Sequence, residues 1–310
     1  MDLSIIIPVF NEEKNLKVLH RSISEVVGKL KLKYELIFVD DGSTDGGLEL
    51  LRSIKKSDAH VIIISFRKNF GQTSAWDAGI KQSRGKYLVT IDSDLQNDPS
   101  DIPRLIDKIK GGFDVVSGWR YERKDKIFKR CFSFFANCVR RVLLKEKIHD
   151  SGCSLKIYKK ECFEGIDLGG EMHRYITGIL SIKGFKVGEL KVKHHPRRYG
   201  VTKYGVSRLS KGLLDLMMVA FLTRYSSRPI HIFGGLGIMT FLFGFAVGLY
   251  LAFTKIMYNA SLSNRPLLIL SVLLVILGVQ FIIFGVIAEV LMKIYNKTHN
   301  IQNYCVKEIL

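Results

Sequence analysis

The stretch Lys86-Tyr87-Leu88-Val89-Thr90-Ile91, followed by Asp92-Ser93-Asp94, sets the direction of everything around it. Tyr87 to Ile91 is an apolar, β-branched run of the length of a buried strand. Two carboxylates one residue apart then leave the strand at its C-terminal end, where an open α/β sheet holds its ligands, so both can reach one cation. That arrangement suits Mg²⁺ or Mn²⁺ bridging phosphate oxygens. Asp-x-Asp alone also fits a turn or a solvated loop, so the neighbours matter. Gln96 adds a neutral oxygen, and Pro99-Ser100-Asp101 opens the next helix, which puts the acids in a strand-to-helix loop.

Working outward, Leu3 to Val9 reads as a strand ending at Phe10-Asn11-Glu12-Glu13, where an amphipathic helix begins and runs to about Val27. Tyr34 to Val39 is a second strand, ending in Asp40-Asp41-Gly42-Ser43-Thr44-Asp45, with Ser43 or Thr44 placed to cap a helix. Val61 to Ser65 leads through Arg67 to Gly71 into a helix over Thr73 to Gln82, and Phe113 to Gly118 is a fifth strand after the Asp92 strand. Strands alternating with helices specify βαβ units and a mostly parallel sheet, with the polar clusters gathered on one edge. Asp45 fits a helix cap, whereas Asp40 is placed to accept hydrogen bonds from a base or ribose. No Gly-x-Gly-x-x-Gly follows the first strand and no Gly-x-x-x-x-Gly-Lys-[Ser/Thr] occurs, which removes the main signals of dinucleotide dehydrogenases and P-loop enzymes. Phosphates here would be met by metal and arginine.

Pro8-Val9-Phe10-Asn11-Glu12, Asp40-Asp41-Gly42-Ser43-Thr44-Asp45, Asn69-Phe70-Gly71-Gln72 and Asp92-Ser93-Asp94-Leu95-Gln96-Asn97-Asp98-Pro99 resemble, in order and spacing, the family 2 inverting glycosyltransferases. The branch most similar is that of the polyprenyl-phosphate glycosyltransferases, which includes dolichol-phosphate mannose synthase and bacterial undecaprenyl-phosphate sugar transferases. The resemblance implies a GT-A, Rossmann-like α/β fold with amphipathic interfacial helices and two C-terminal transmembrane helices. It implies Mg²⁺ or Mn²⁺ on Asp92, Asp94 and Gln96, and nucleotide contacts at Pro8, Val9, Asn11, Glu12, Asp40, Asp92 and Ser93. Arg120 and the Arg130, Ser133, Asn137 pattern would take the acceptor phosphate, a task for which planar guanidinium donors are well shaped. Trp119 stands where a small residue is common. Arg198 and Lys203 fall in a segment resembling a mobile loop that closes over the diphosphate, with Gly200 and Gly205 permitting the movement. The implied catalytic set is thus Asp94, Asp150, Arg120, Arg198 and Lys203.

Asp150, in Asp150-Ser151-Gly152-Cys153-Ser154-Leu155-Lys156, matches an acid near the acceptor, for which general base is the obvious role. A phosphate monoester, however, loses its second proton at about pH 6, so the acceptor oxygen is already ionised at neutral pH. Asp150 is therefore expected to orient the acceptor or an arginine. His194-His195 invites a metal-site reading, but adjacent residues in a strand point to opposite faces.

Of 310 residues, 47 are Lys or Arg and 29 Asp or Glu, a formal charge of +18 that implies an anionic partner. A membrane fits better than nucleic acid, for which there is no recognisable motif. Pro229 to Thr254 and Pro266 to Ala288 carry no Asp, Glu, Lys or Arg, and each is long enough to cross a hydrocarbon core of about 30 Å. Arg224 and Arg228 precede the first span, and Lys293 and Lys297 follow the second; the intervening loop holds only Lys255 and Arg265. The positive-inside rule then places both termini and the catalytic domain in the cytoplasm. Leu3 to Val9 is too short for a signal peptide's apolar region. Cysteines 131, 138, 153, 162 and 305 form no Cys-x-x-Cys pair, as expected of reduced thiols.

Lys126 to Lys145 sets Phe128, Phe132, Phe135, Val139 and Val142 among basic residues at helical spacing, as an interfacial helix would, and Ser207 to Phe221 reads as a second. The expected layout is a catalytic domain at 1–206, a juxtamembrane helix at 207–228, a transmembrane hairpin at 229–295 and a tail at 296–310. The expected reaction moves one sugar from a nucleotide-sugar, a UDP-hexose in preference to GDP-mannose, to a polyprenyl phosphate, in a homo-oligomer beside membrane lipid. Two other readings compete. A processive polysaccharide synthase normally carries Gln-x-x-Arg-Trp, and neither Trp76 nor Trp119 sits in that context. A non-catalytic lipid-carrier binding protein would not need the acidic and arginine set.

Overall fold

The computed structural model describes residues 1–121, 148–196, 229–258 and 266–298, with Met218 and Phe221. Arg130, Ser133, Asn137, Arg198 and Lys203 lie outside the described residues, as do the first expected interfacial helix, all of the second but Met218 and Phe221, and the boundaries at residues 206 and 228. The chain divides into two compact units.

The first unit is a mixed α/β sheet. Its strands are β1 (Leu3–Val9), β2 (Tyr34–Asp40), β3 (Val61–Ser65), β4 (Tyr87–Thr90), β5 (Val115–Arg120), β6 (Lys156–Lys159) and β7 (Val187–Val192). Helices α1 (Glu13–Val27), α2 (Gly47–Ser57), α3 (Gln72–Gln82) and α4 (Ile102–Lys110) follow the first four strands, and α5 (Ile176–Ile182) precedes β7. The spatial order is β3-β2-β1-β4-β6-β5-β7. The first four strands in that order are parallel, β6 runs antiparallel to both β4 and β5, and β7 is parallel to β5.

The near-continuous apolar runs of β1 and β2 follow from burial on both faces. Leu3, Ile5 and Ile7 pack with Leu16, Leu19 and Ile23 of α1, while Ile6, on the opposite face, packs with Trp76 and Ile80 of α3. Phe38 joins the first cluster, and Ile37 and Val39 meet Ala75 on the other side. The alternation thus fixes register, and the register brings Val9 beside Asp40 and Ile6 beside Thr90. All polar strand ends therefore emerge together.

The second unit holds α6 (Pro229–Tyr258) and α7 (Pro266–Thr298), each long and apolar enough to cross a membrane. Their surfaces are not those of core helices: Ile256 is 75% exposed and Ile269 74%. The two helices approach closely where side chains vanish, since a Cβ on Gly278 would lie 2.6 Å from the Phe241 amide nitrogen.

Candidate active site

On one side of the site, the ends of β1 and β2 bind each other. Asn11 adopts a left-handed φ of 55°, which turns its side chain towards the next loop. Its amide donates to Ser43 Oγ at 3.0 Å, and its Oδ1 accepts from the Thr44 amide at 2.8 Å. Glu13 and Asp45 complete the tie: the Glu13 amide donates to Asp45 Oδ2 and the Gly46 amide to Glu13 Oε2. Neither Ser43 nor Thr44 is the helix cap expected from sequence. The N-cap of α2 is Gly46, and Asp45 Oδ1 accepts from the Gly47 amide at 3.0 Å. Ser43 is instead drawn to Asn11 by a contact between loops.

Asp40, 1% exposed at the end of β2, accepts from the Ser43 amide and from Ser65 Oγ, each at 3.2 Å. Its neighbour Asp41 has a different task. It accepts from the amides of Phe70 at 2.7 Å and Gly71 at 3.0 Å, clamping the loop that opens α3; burial raises its pKa, against the pull of those amides. Gly42 must be glycine, because its φ is +69° and a Cβ would stand 2.4 Å from the Lys68 carbonyl carbon. Pro8 and Val9 are buried at the end of β1, and Glu12, the N-cap of α1, accepts from Asn15 Nδ2.

Beyond β4, Asp92 Oδ1 accepts from Gln72 Nε2 at 2.6 Å, joining the acid to the first residue of α3. Burial, reinforced by the Asp94 carboxylate, raises the Asp92 pKa to about 6, with Ser154, Arg120 and Lys156 partly offsetting the rise. Ser93 is buried between the acids, and Asp94 is 8% exposed and accepts from the Gln96 amide at 3.1 Å. This turn requires Leu95 at φ 61°, a conformation that costs a side-chain-bearing residue about 1 kcal/mol. The Gln96 carbonyl accepts from the His195 amide at 2.8 Å, Asn97 bridges to His194, and His195 Nε2 lies 3.2 Å from Asp98 Oδ2. The chain after β7 is thereby stitched to the acidic loop just before residue 197. His194 and His195 build no metal site with each other.

Among the described residues, no group of three or more His, Cys, Asp and Glu is placed to hold a metal. A cation at this loop would take two carboxylates and complete its shell with amide, phosphate or water oxygens. The donors fit that role: they are hard oxygens, they are held together at a cost that shows in the raised Asp92 pKa, and Gln96's side-chain amide makes no hydrogen bond among the described residues. Mg²⁺ and Mn²⁺ suit such a set, since Mg²⁺ commonly takes one or two carboxylates plus substrate phosphates and water.

The other side of the site is built from charge. Arg120, at the end of β5, grips Asp150 with Nε to Oδ2 at 2.7 Å and Nη2 to Oδ1 at 2.9 Å, and its amide donates to Oδ2 at 3.2 Å. Burial opposes the guanidinium charge, but the Asp150 bonds outweigh it and raise the Arg120 pKa. Glu189 of β7 holds the segment from beneath: Oε1 accepts from the amides of His149 at 2.6 Å and Asp150 at 2.9 Å. Lys156, 1% exposed in β6, donates from Nζ to the Ser151 carbonyl at 2.8 Å. Asn97 Nδ2 donates to Ser154 Oγ at 2.8 Å, so the acidic loop and the Asp150 segment are joined directly. Cys153 and Cys162 are free thiols, and burial raises them to about 11 and about 12, so both stay protonated.

Pro8, Val9, Asn11, Glu12, Asp40, Asp92, Ser93, Asp94, Gln96, Arg120 and Asp150 all fall at this one sheet edge. Asp41, Gln72, Asn97, Lys156 and Glu189 escaped the sequence reading as site-building residues. Asp41, Gln72, Asn97 and Lys156 stand inside the family-like motifs, but nothing local marks their side chains as structural, and Lys156 looks like a surface lysine until β6 is seen between two strands.

A mixed, mostly parallel sheet with two acids after its fourth strand is the GT-A architecture, the fold of sugar-nucleotide transferases. The chain belongs to glycosyl transferase family 2, whose family model matches residues 4–166. It is 38% identical, over 100% of its own length and 93% of the relative's, to a dodecaprenyl-phosphate galacturonate synthase of Rhizobium johnstonii. It is 30% identical, over 99% of its length and 94% of the relative's, to an undecaprenyl-phosphate 4-deoxy-4-formamido-L-arabinose transferase of Photorhabdus laumondii. Among solved structures, glucosyl-3-phosphoglycerate synthase of Mycobacterium tuberculosis, in complex with Mn²⁺, UDP-glucose and glycerol 3-phosphate, superposes with a TM-score of 0.53. The identity is 18%, covering 71% of this chain and 79% of that one. This last likeness bears on the fold.

Proposed function

We propose that the chain transfers one sugar from a nucleotide-sugar to a polyprenyl phosphate, with inversion at the anomeric carbon. The observation that carries this reading is the placement of the Asp92–Asp94 loop at the end of β4 and the Arg120–Asp150 pair at the end of β5, one strand apart, joined through the Asn97–Ser154 bond and close enough that Arg120 and Asp92 perturb each other's ionisation. A metal-diphosphate subsite and a phosphate-binding guanidinium thus share one edge. Both relatives described above match over nearly all of the chain, and they are named as a dodecaprenyl-phosphate galacturonate synthase and an undecaprenyl-phosphate 4-deoxy-4-formamido-L-arabinose transferase.

In the reaction, an acceptor phosphate oxygen attacks the anomeric carbon as the bond from that carbon to the diphosphate oxygen breaks, and the nucleoside diphosphate leaves with the electron pair. Asp40 receives the nucleoside, with Pro8, Val9, Asn11, Glu12 and Ser93 around it. Asp92, Asp94 and Gln96 hold Mg²⁺ or Mn²⁺, which when bound offsets charge on the diphosphate. Arg198 and Lys203 add cationic charge to the same group, and Arg120, Arg130, Ser133 and Asn137 receive the acceptor phosphate. Asp150 has both oxygens committed to Arg120, so its role is to aim that guanidinium. No base is needed for an acceptor that is ionised above about pH 6.

The donor is a UDP-sugar, with UDP-galacturonate the first to test in view of the 38% relative and GDP-mannose the contrasting nucleotide. The catalytic domain and both termini lie on the cytoplasmic side, following the basic residues that flank the apolar helices, and the chain works as a homo-oligomer. A screen of nucleotide-sugars with undecaprenyl phosphate in detergent tests the reaction: a lipid-linked monosaccharide is expected, and none with any donor would leave a lipid-carrier binding protein. Asp150→Asn tests the mechanism at pH 8, where complete loss of turnover with acceptor binding intact would overturn the orienting role.

A further inference from the structure

Trp119 and Arg120 are consecutive in β5 and so leave opposite faces of the sheet. Arg120 is committed to Asp150, and Trp119 begins a separate cluster. Its ring stacks on His149, with centroids 4.4 Å apart and planes 12° from parallel, and meets Tyr121 edge-on at 5.2 Å. Lys191, the register partner of Trp119 on edge strand β7, lays Nζ 5.3 Å from the Trp119 centroid and 3.9 Å from that of Tyr121. His149 is fixed through Nδ1 to Glu189, whose side chain is only 12% exposed, so the charge the cluster displays outward is that of Lys191.

Neither a core nor an ordinary surface suits this grouping. A core would exclude the lysine, and Tyr121 is 60% exposed. Tryptophan, tyrosine and lysine together are the residues enriched where hydrocarbon gives way to headgroups, because each joins an apolar body to a polar tip. The chain carries two long apolar helices, and from Tyr121 it runs directly into residues 122–147, whose sequence sets phenylalanines among lysines and arginines. We infer that Trp119, Tyr121, Lys191 and His149 form a membrane-contact patch, seated in the headgroup layer of a bilayer bearing anionic lipid. The rings would enter the interface while Lys191 meets lipid phosphate. This contact goes beyond the transfer reaction and is measurable without turnover.

The chain has two tryptophans, and Trp76 is 1% exposed in the core, which makes Trp119 an addressable probe. Full-length protein is reconstituted into vesicles of phosphatidylcholine and phosphatidylglycerol whose acyl chains carry bromine near the headgroup end. The emission of wild type minus that of Trp119→Phe isolates Trp119; Trp76→Phe, which leaves Trp119 alone, gives the same reading by a second route. Loss of about half of that emission relative to unbrominated vesicles is expected for a ring at the interface. Lys191→Glu is expected to reduce the quenching at the same phosphatidylglycerol content. The inference is overturned by unchanged emission in brominated vesicles: with acrylamide quenching the patch faces water, and without it another protein surface covers it. It is likewise overturned if Lys191→Glu leaves the quenching unaltered.

Discussion

The two halves of the sheet edge are held in different ways. Around β1 and β2 the loops are tied by neutral or singly charged hydrogen bonds between backbone amides and short side chains: Asn11 to Thr44, Asp45 to Glu13, Asp41 to Phe70 and Gly71. Around β5, β6 and β7 the same work falls to ion pairs and buried charge: Arg120 with Asp150, Glu189 beneath, Lys156 on the Ser151 carbonyl. The first kind of edge is many weak links, each replaceable. The second is few links whose loss strands a charge out of water, and such breakage costs far more than the link contributes.

The greatest effect is expected at the seam between the halves. Asp94→Ala should lower transfer on the order of 10³-fold, because several kcal/mol of charge stabilisation on the diphosphate is lost with the cation. Circular dichroism should remain that of wild type; metal-dependent transfer near the wild-type rate would remove Asp94 from the site. Next comes the charged half. Asp150→Asn leaves the Arg120 guanidinium largely enclosed without its counter-charge and should cost about 3 kcal/mol of unfolding free energy. Denaturant titration reads this, and a loss no greater than that of a single neutral hydrogen bond would erase the contrast between the halves.

Third is the pH dependence of the cation. With Asp92 raised to about 6, the cation-free protein keeps a proton there that an unfolded Asp, with a pKa of about 3.9, has released. Stability without cation therefore falls as pH rises from about 4 to 6, while Mn²⁺ affinity rises by about tenfold per unit approaching 6 and then levels. Calorimetric titration across that window checks the slope, and a flat profile would contradict it. The smallest effect belongs to the neutral half: Asn11→Ala should cost about 1 kcal/mol and leave Mn²⁺ affinity within a factor of two or so. A loss as large as that of Asp150→Asn would show that the loop ties are not the minor links described.

The same contrast governs what could be read from the sequence. Strands β1 to β5 announce themselves by aliphatic, β-branched runs, most clearly β1 and β2, which are buried on both faces. β6 is four residues bounded by Lys156 and Lys159, and β7 carries Glu189 and Lys191, so neither has that signature. Its insertion between β4 and β5 makes the sheet mixed where a wholly parallel order would otherwise follow. In the site, Asp92, Asp94, Arg120 and Asp150 stood in motifs, but Glu189 reaches His149 across 40 residues and Asp41 reaches Phe70 across 29, and no local spacing encodes such pairs. The cap expected at Ser43 or Thr44 failed for the same reason: a hydroxyl able to cap a helix found a better placed donor in Asn11, 32 residues away.

The bidentate Arg120–Asp150 pair has one more consequence, for competition in a crowded cell. An unaccompanied guanidinium in an enclosed site would trap inorganic phosphate, which is plentiful and carries the same headgroup chemistry as a polyprenyl phosphate. A guanidinium already neutralised by a carboxylate offers little net field to a small free anion and yields its remaining N–H only to one delivered in the right orientation. On the acceptor role proposed for Arg120, the pair would act as a filter for tethered phosphate over dissolved phosphate, selecting by geometry and local concentration where charge alone could not discriminate.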